Sequence, residues 1–276
     1  MKKSFWMIAI ILITLNACKK DETSSSNTTP TPEVIDIPAN YIKLGETWIG
    51  GAAAKATVYG LKAPFTGYNK LYTLLTDSTS GKVLKNGHLS IYPEMTMPMM
   101  THSSPVDNQE SEVPNGNFYE GAVVFTMPST AGVWRLKFNY HNHASDKEGN
   151  GSMELNVVQS DPARSLSFIA GDDSSKVVLA LVEPEKWKNG LNDFEITLHK
   201  KGMTDFPEIK DYTVEIEPEM PSMGHGSPNN VNPVYTKNGH YLGKVNFTMS
   251  GLWQVNIRLY KNGKLIKDGI SFTITL

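Results

Sequence analysis

Two stretches of the chain place methionine and histidine together in nearly the same frame. Residues 91–105 read Ile-Tyr-Pro-Glu-Met-Thr-Met-Pro-Met-Met-Thr-His-Ser-Ser-Pro, and residues 216–228 read Ile-Glu-Pro-Glu-Met-Pro-Ser-Met-Gly-His-Gly-Ser-Pro. Both keep Pro-Glu-Met, then Pro-x-Met-x-His, then Ser-Pro. Thioethers beside an imidazole make a soft ligand set, which selects Cu(I) over hard cations. In the second stretch the candidate ligands are Met220, Met223 and His225. Met249 joins them, because it ends the series Val245, Phe247, Met249 on one face of an expected strand. Met95, Met100, His102 and Met127 take the aligned positions in the first stretch, where Met97 and Met99 are additional. Outside the cytoplasm paired thiols are prone to form disulfides. A thioether cannot do so and needs no deprotonation to bind.

Other uses of the same residues stay open. Methionine fills irregular gaps in cores, and Phe-x-Met on an inward face at Met127 and Met249 is ordinary packing. The segment Thr96–Met100 is interrupted by Pro98, so its methionines cannot all point inward. An exposed methionine patch that binds a protein partner is the third reading. His141 and His143 flank Asn142 in an expected turn, with an accessory ligand role as the minor alternative. His88, His199 and His240 stand alone in the sequence and read as solvated or hydrogen-bonded side chains.

The elements that must position these residues read as strands. Segments such as Lys137–Tyr140 and Gln254–Leu259 alternate with a period of two. Gly-containing turn signals recur at Ser80-Gly81, Asn86-Gly87, Asn115-Gly116, Asn150-Gly151, Asn189-Gly190, Asn238-Gly239 and Asn262-Gly263. Tyr260–Leu265 reads as a hairpin with an Asn-Gly corner. Long helical periodicity is missing, and many short strands with frequent turns predict an all-β sandwich architecture.

The pattern repeats. Phe118–Met127 aligns with His240–Met249, and Gly132-Val133-Trp134 with Gly251-Leu252-Trp253. Each Trp is expected to anchor a core. The sequence thus predicts an all-β chain of two tandem β-sandwich domains, at 40–160 and 161–276.

The N-terminus carries targeting features. Lys2 and Lys3 precede an apolar run from Phe5 to Leu15, too short to span a bilayer and suited to a signal peptide over 1–17. The run ends at Leu15-Asn16-Ala17-Cys18, which resembles the lipobox of bacterial lipoproteins, with lipidation at Cys18. That is the single cysteine of the chain, so no intramolecular disulfide can form. Acyl chains there would hold the protein to a membrane. Lys19-Lys20-Asp21-Glu22 is similar to a surface-export signal of Gram-negative lipoproteins, which places the protein in the cell envelope, on the outer membrane and exposed at the surface. Residues 18–39 form a flexible tether, since 23–33 hold no large apolar side chain to offset chain entropy. A formal charge of −2 argues against broad capture of nucleic acid. No phosphate loop, Gly-x-Ser-x-Gly, His-Glu-x-x-His or cysteine nucleophile nominates an enzyme.

The series Pro…Gly-x-Asn, Met-Pro-x-Met-x-His, Gly…Phe-x-Met and Gly-x-Trp resembles the FixH/YtkA-like family of extracytoplasmic β-sandwich domains. In the second half it runs through Pro184, Gly190 with Asn192, Met220–His225, Gly243–Met249 and Gly251–Trp253. The first half departs from it with Met97, Met99, Thr101 and the inserted Ser129-Thr130-Ala131. The resemblance implies an immunoglobulin-like sandwich, a non-enzymatic role, and a link to copper handling or oxidase assembly, with a metal acceptor or envelope protein as partner. The alternative is a structural or protein-binding module without metal.

Overall fold

The computed structural model describes residues 35–276. The expected signal peptide, Cys18 and most of the tether lie outside the described residues. All described residues belong to one compact unit.

Strands β1 (Ile42–Ile49), β2 (Ala54–Gly60), β3 (Gly67–Asp77), β4 (Gly87–Thr96), β5 (Thr101–Ser103), β6 (Val106–Asp107), β7 (Phe118–Phe125), β8 (Val133–Asn142) and β9 (Lys147–Leu155) build a first sandwich. Strands β10 (Ser165–Ile169), β11 (Lys176–Val182), β12 (Gly190–Lys200), β13 (Thr213–Met220), β14 (His225–Gly226), β15 (Val231–Tyr235), β16 (His240–Phe247), β17 (Leu252–Lys261) and β18 (Lys264–Thr275) build a second. Sheet orders are β1-β2-β3-β7-β6 over β5-β4-β8-β9, and β10-β11-β12-β16-β15 over β14-β13-β17-β18. The two sandwiches therefore share one topology, with every named pairing antiparallel. Alternation along β4, β8, β13 and β17 turns every second side chain inward. The inward sets meet in two separate cores, each centred on a fully buried Trp134 or Trp253.

The motif Gly-x-Asn has a structural cause. Asn69 donates to the carbonyls of Phe65 and Gly67 and accepts from the Phe65 N–H. Asn192 does the same with Lys188 and Gly190. One buried amide thus satisfies a loop's backbone in each sandwich, as buried polar groups require. The inserted Ser129–Ala131 is a 3₁₀ turn.

The turn signals divide. Asn262 and Gly263 both take positive φ, 51° and 74°, and close the β17–β18 hairpin as expected. Asn238 and Gly239 form a similar corner, with φ of 48° and 77°. Asn150-Gly151 does not turn. Both residues lie within β9, opposite β8. Gly149 and Gly151 instead admit β1 and the residue after it: a Cβ at Gly149 would run into the Gly50 carbonyl, and one at Gly151 would lie 2.6 Å from the Trp48 carbonyl oxygen. Gly there marks close backbone approach between strands rather than a corner. Asn86-Gly87 likewise leads straight into β4. Ile35, within the expected tether, packs with Tyr41 on the outer face of the first sandwich, against Tyr59, Tyr72 and Phe118.

The two sandwiches also share an interface. β11 reads Lys-Val-Val-Leu-Ala-Leu-Val and is buried on both faces. Its outward Val178 and Ala180 pack on Val124 of β7, with Tyr68 and Phe206 at the margin. Around this patch Lys62 and Arg164 bind the Glu183 carboxylate at 3.0 and 2.7 Å.

Candidate metal-binding loops and a buried interface cluster

The Met/His segments lie at the ends of sheet hairpins. In the second sandwich, β13 ends at Met220, the chain turns through Pro221–Gly224, and β14 returns with His225 directly opposite Met220. The Met223 and Gly224 N–H groups both bond the Met220 carbonyl, and Gly224 takes φ of 61° to allow it. Met220 is 4 % exposed, whereas Met223 is 59 % exposed. The His225 ring stands edge-on to Trp253, with centroids 6.0 Å apart. Met249 lies just past the end of β16 rather than on it, exposed, and its carbonyl accepts the Trp253 indole N–H at 3.0 Å. Met220, Met223, His225 and Met249 are thus gathered around one end of one core.

The first sandwich repeats this placement. Met95 faces His102 across β4 and β5, and Met95 also faces Trp134 on β8. The Trp134 indole donates to the Met127 carbonyl at 2.8 Å. Met95 is fully buried, Met100 is 54 % exposed, and Met127 and Met97 pack half-buried at the core margin. Met99 is fully open to solvent.

Packing accounts for part of the motif. A Cβ at Gly251 would lie 2.6 Å from the Met220 methyl carbon. A Cβ at Gly132 would lie 2.9 Å from Met97 Cγ and 3.3 Å from the Met95 methyl. The glycine of Gly-x-Trp therefore leaves room for the methionine of Pro-Glu-Met. Met95 and Met220 fill core space, while Met100, Met223 and Met249 present themselves to solvent.

A second cluster escaped the sequence reading. His199 and His240 do not stand alone; both are buried beside each other at the sandwich interface. His240 Nδ1 lies 2.7 Å from Glu195 Oε1 on neighbouring β12, and Nε2 forms an ion pair at 3.4 Å with Asp107 of the first sandwich. Asn238 donates to the same Asp107 at 2.9 Å, and Tyr68 stands edge-on to the His240 ring at 5.4 Å. Burial alone would lower the His240 pKa, but the Asp107 and Glu195 carboxylates outweigh it and push it up to about 9. Burial likewise works against the Asp107 carboxylate, yet His240 and Asn238 hold it below its ordinary value. His199 is pushed down to about 4, by burial first and then by the His240 charge. A cavity of about 610 Å³ opens beside this cluster. One signal was legible: His240 aligns with Phe118, an apolar residue exchanged for an ionisable one at the same strand position.

The chain is an all-β module of two tandem sandwiches. Residues 172–258, within the second, match the YtkA-like family model. No curated protein matches the chain. Among solved structures, a conserved domain protein from Bacillus anthracis aligns at 10 % identity and a TM-score of 0.34, over 86 % of this chain and 91 % of that one. The Escherichia coli adhesin FdeC aligns at 13 % identity and a TM-score of 0.26, over 83 % of this chain and 65 % of that one. A chimeric titin Z1Z2 aligns at 10 % identity and a TM-score of 0.22, over 82 % and 96 %.

Proposed function

We propose that this protein binds copper outside the cytoplasm, as Cu(I), through the methionines and histidine at the end of each sandwich. The observation that carries this reading is the facing pair, Met220 with His225 and Met95 with His102, built at the same position of both sandwiches. Around each pair stand further thioethers, Met223 and Met249 or Met100 and Met127. Sulfur and imidazole donors of this kind suit Cu(I) and bind hard cations poorly. Copper is the cargo: the accessible Met223, Met249 and Met100 would meet the ion first, and the buried partner would complete its shell. The role is sequestration, delivery to a metal acceptor, or support of oxidase assembly. Cys18 would carry the lipid anchor in the cell envelope, at the outer membrane and surface-exposed. No nucleic acid enters this role.

A second reading is a structural or protein-binding module, favoured by one observation: the Met95 and Met220 methyl groups fill the space over Gly132 and Gly251. Anaerobic titration of the full chain in detergent with Cu(I), against a competing chelator, separates the two. Tight binding lost in the Met220→Ala/Met223→Ala/His225→Ala variant supports copper. Negligible binding, or binding unchanged in that variant, supports the module.

A further inference from the structure

We infer that the cleft between the two sandwiches is a binding site for a neutral sugar, held by hydrogen bonds to Lys70 and Glu110 of the first sandwich and Lys237 of the second. The outward faces of β7 and β11 meet at Val124, Val178 and Ala180. Past that contact the walls part around two cavities, of about 610 and 690 Å³. Both are lined by Tyr68, Lys70 and Tyr72 of β3, and by the cross-strand partners Val182 and Glu195 of the second sandwich. Cavities of this size at a junction between domains are where small ligands bind. One wall is an elaboration that the fold does not need. Residues 108–117 join β6 to β7 and wall the first cavity, whereas the equivalent corner of the second sandwich, between β15 and β16, is made by 236–239 alone. The longer loop is braced from within. Asn108 exchanges two hydrogen bonds with the Ile91 backbone, at 2.7 and 3.1 Å. Gln109 donates to the Ser111 and Val113 carbonyls and accepts from the Glu120 N–H. These amides fix the shape of the wall in advance, which lowers the cost of ordering it on binding.

The groups left free identify the ligand. The side chains of Lys70, Lys237 and Glu110 line the first cavity, are exposed, and make no hydrogen bond or ion pair among the described residues. Glu120 keeps one carboxylate oxygen beyond its bond from Asn115. The Tyr68 hydroxyl is a further unspent donor, kept protonated because burial and the nearby Asp107 and Glu195 carboxylates raise its pKa. Two ammonium groups thus stand against two carboxylates, and a ligand of strong net charge of either sign meets like charge, which costs affinity. A sugar hydroxyl both donates and accepts, so it can bridge a lysine to a carboxylate. The apolar bodies of Tyr68, Tyr72 and Val182 suit the C–H faces of a pyranose ring. Lys70 borders both cavities, so a chain of two or more rings can pass it from one to the other. None of these residues belongs to the Met/His loops.

The test probes an array of neutral mono- to tetrasaccharides with the full chain in detergent, then measures the strongest hit by calorimetry. Acidic sugars, amino acids and dipeptides serve as charged and zwitterionic comparisons. A neutral sugar is expected to bind best. Lys70→Met and Glu110→Ala are each expected to weaken it about tenfold or more, the worth of a hydrogen bond to a charged group. Both side chains are exposed and without partners, so the fold should tolerate the changes, and circular dichroism checks that it does. The Met220→Ala/Met223→Ala/His225→Ala variant is expected to leave sugar binding unchanged. Absence of binding to every neutral sugar overturns the inference. So does tighter binding of the charged or zwitterionic probes, or sugar binding that survives Lys70→Met/Glu110→Ala in folded protein. None of these results depends on whether the loops bind Cu(I).

Discussion

Replacing His240 by Gln should reshape the pH dependence of stability. The imidazolium lies between Asp107 and Glu195, with its side chain only 9 % exposed. Its pKa is raised from 6.5 to about 9. A raised folded value contributes stability that is whole below pH 6.5 and is lost as pH rises through 9. At about 1.36 kcal/mol per unit, the full contribution is about 3 kcal/mol. His199 acts with the opposite slope, because it is held neutral with a pKa of about 4. Stability therefore rises from pH 4 toward 6.5 as the unfolded histidine gives up its proton. The two limbs meet near pH 6.5, where the protein should be most stable. His240→Gln should remove the alkaline limb, leave two carboxylates without their cation, and cost about 3 kcal/mol at pH 6 but little at pH 10. Urea unfolding at intervals from pH 4.5 to 10 measures both curves. A wild-type profile flat between pH 6.5 and 9, or the same fall in the variant, would show that His240 is not the group held charged by Asp107 and Glu195.

Other substitutions test the packing. Gly149→Ala should cost about 3 kcal/mol or more, since its Cβ meets the Gly50 and Ala52 backbone just past β1, which cannot yield without parting that segment from β9; chemical denaturation measures it. Gly251→Ala should destabilise by about 1–3 kcal/mol, and Met220→Ala should relieve part of that cost in a double-mutant cycle, because the two compete for one space. Trp253→Phe should lose about 1 kcal/mol beyond its packing loss through the missing bond to the Met249 carbonyl, and should raise the Met249 segment's amide exchange.

Much of the fold was legible because its signals are local. Period-two alternation in Gln254–Leu259 and the Asn262-Gly263 corner each depend on neighbours along the chain. The aligned Gly-x-Asn and Gly-x-Trp pairs announced one topology twice. Asn150-Gly151 misled because its glycine answers to β1, a hundred residues away, and not to a turn. The interface was written in a form that alternation does not detect. Val177–Leu181 and Ala122–Phe125 are unbroken apolar runs, the mark of strands covered on both faces. His240 was read singly for the same reason: its partners Asp107 and Glu195 are distant in sequence and come from two sandwiches. At the loops the residue types were legible, but their division was not. Burial separates Met95 and Met220, which fill cores, from Met100 and Met223, which face solvent.

The most direct test of the central claim is anaerobic competition for Cu(I) between the full chain in detergent and a chromophoric chelator. Tight binding of up to one ion per sandwich is expected, with the second-sandwich share abolished by Met220→Ala/Met223→Ala/His225→Ala in folded protein. Failure to draw Cu(I) from the chelator, or full binding in that variant, would contradict it.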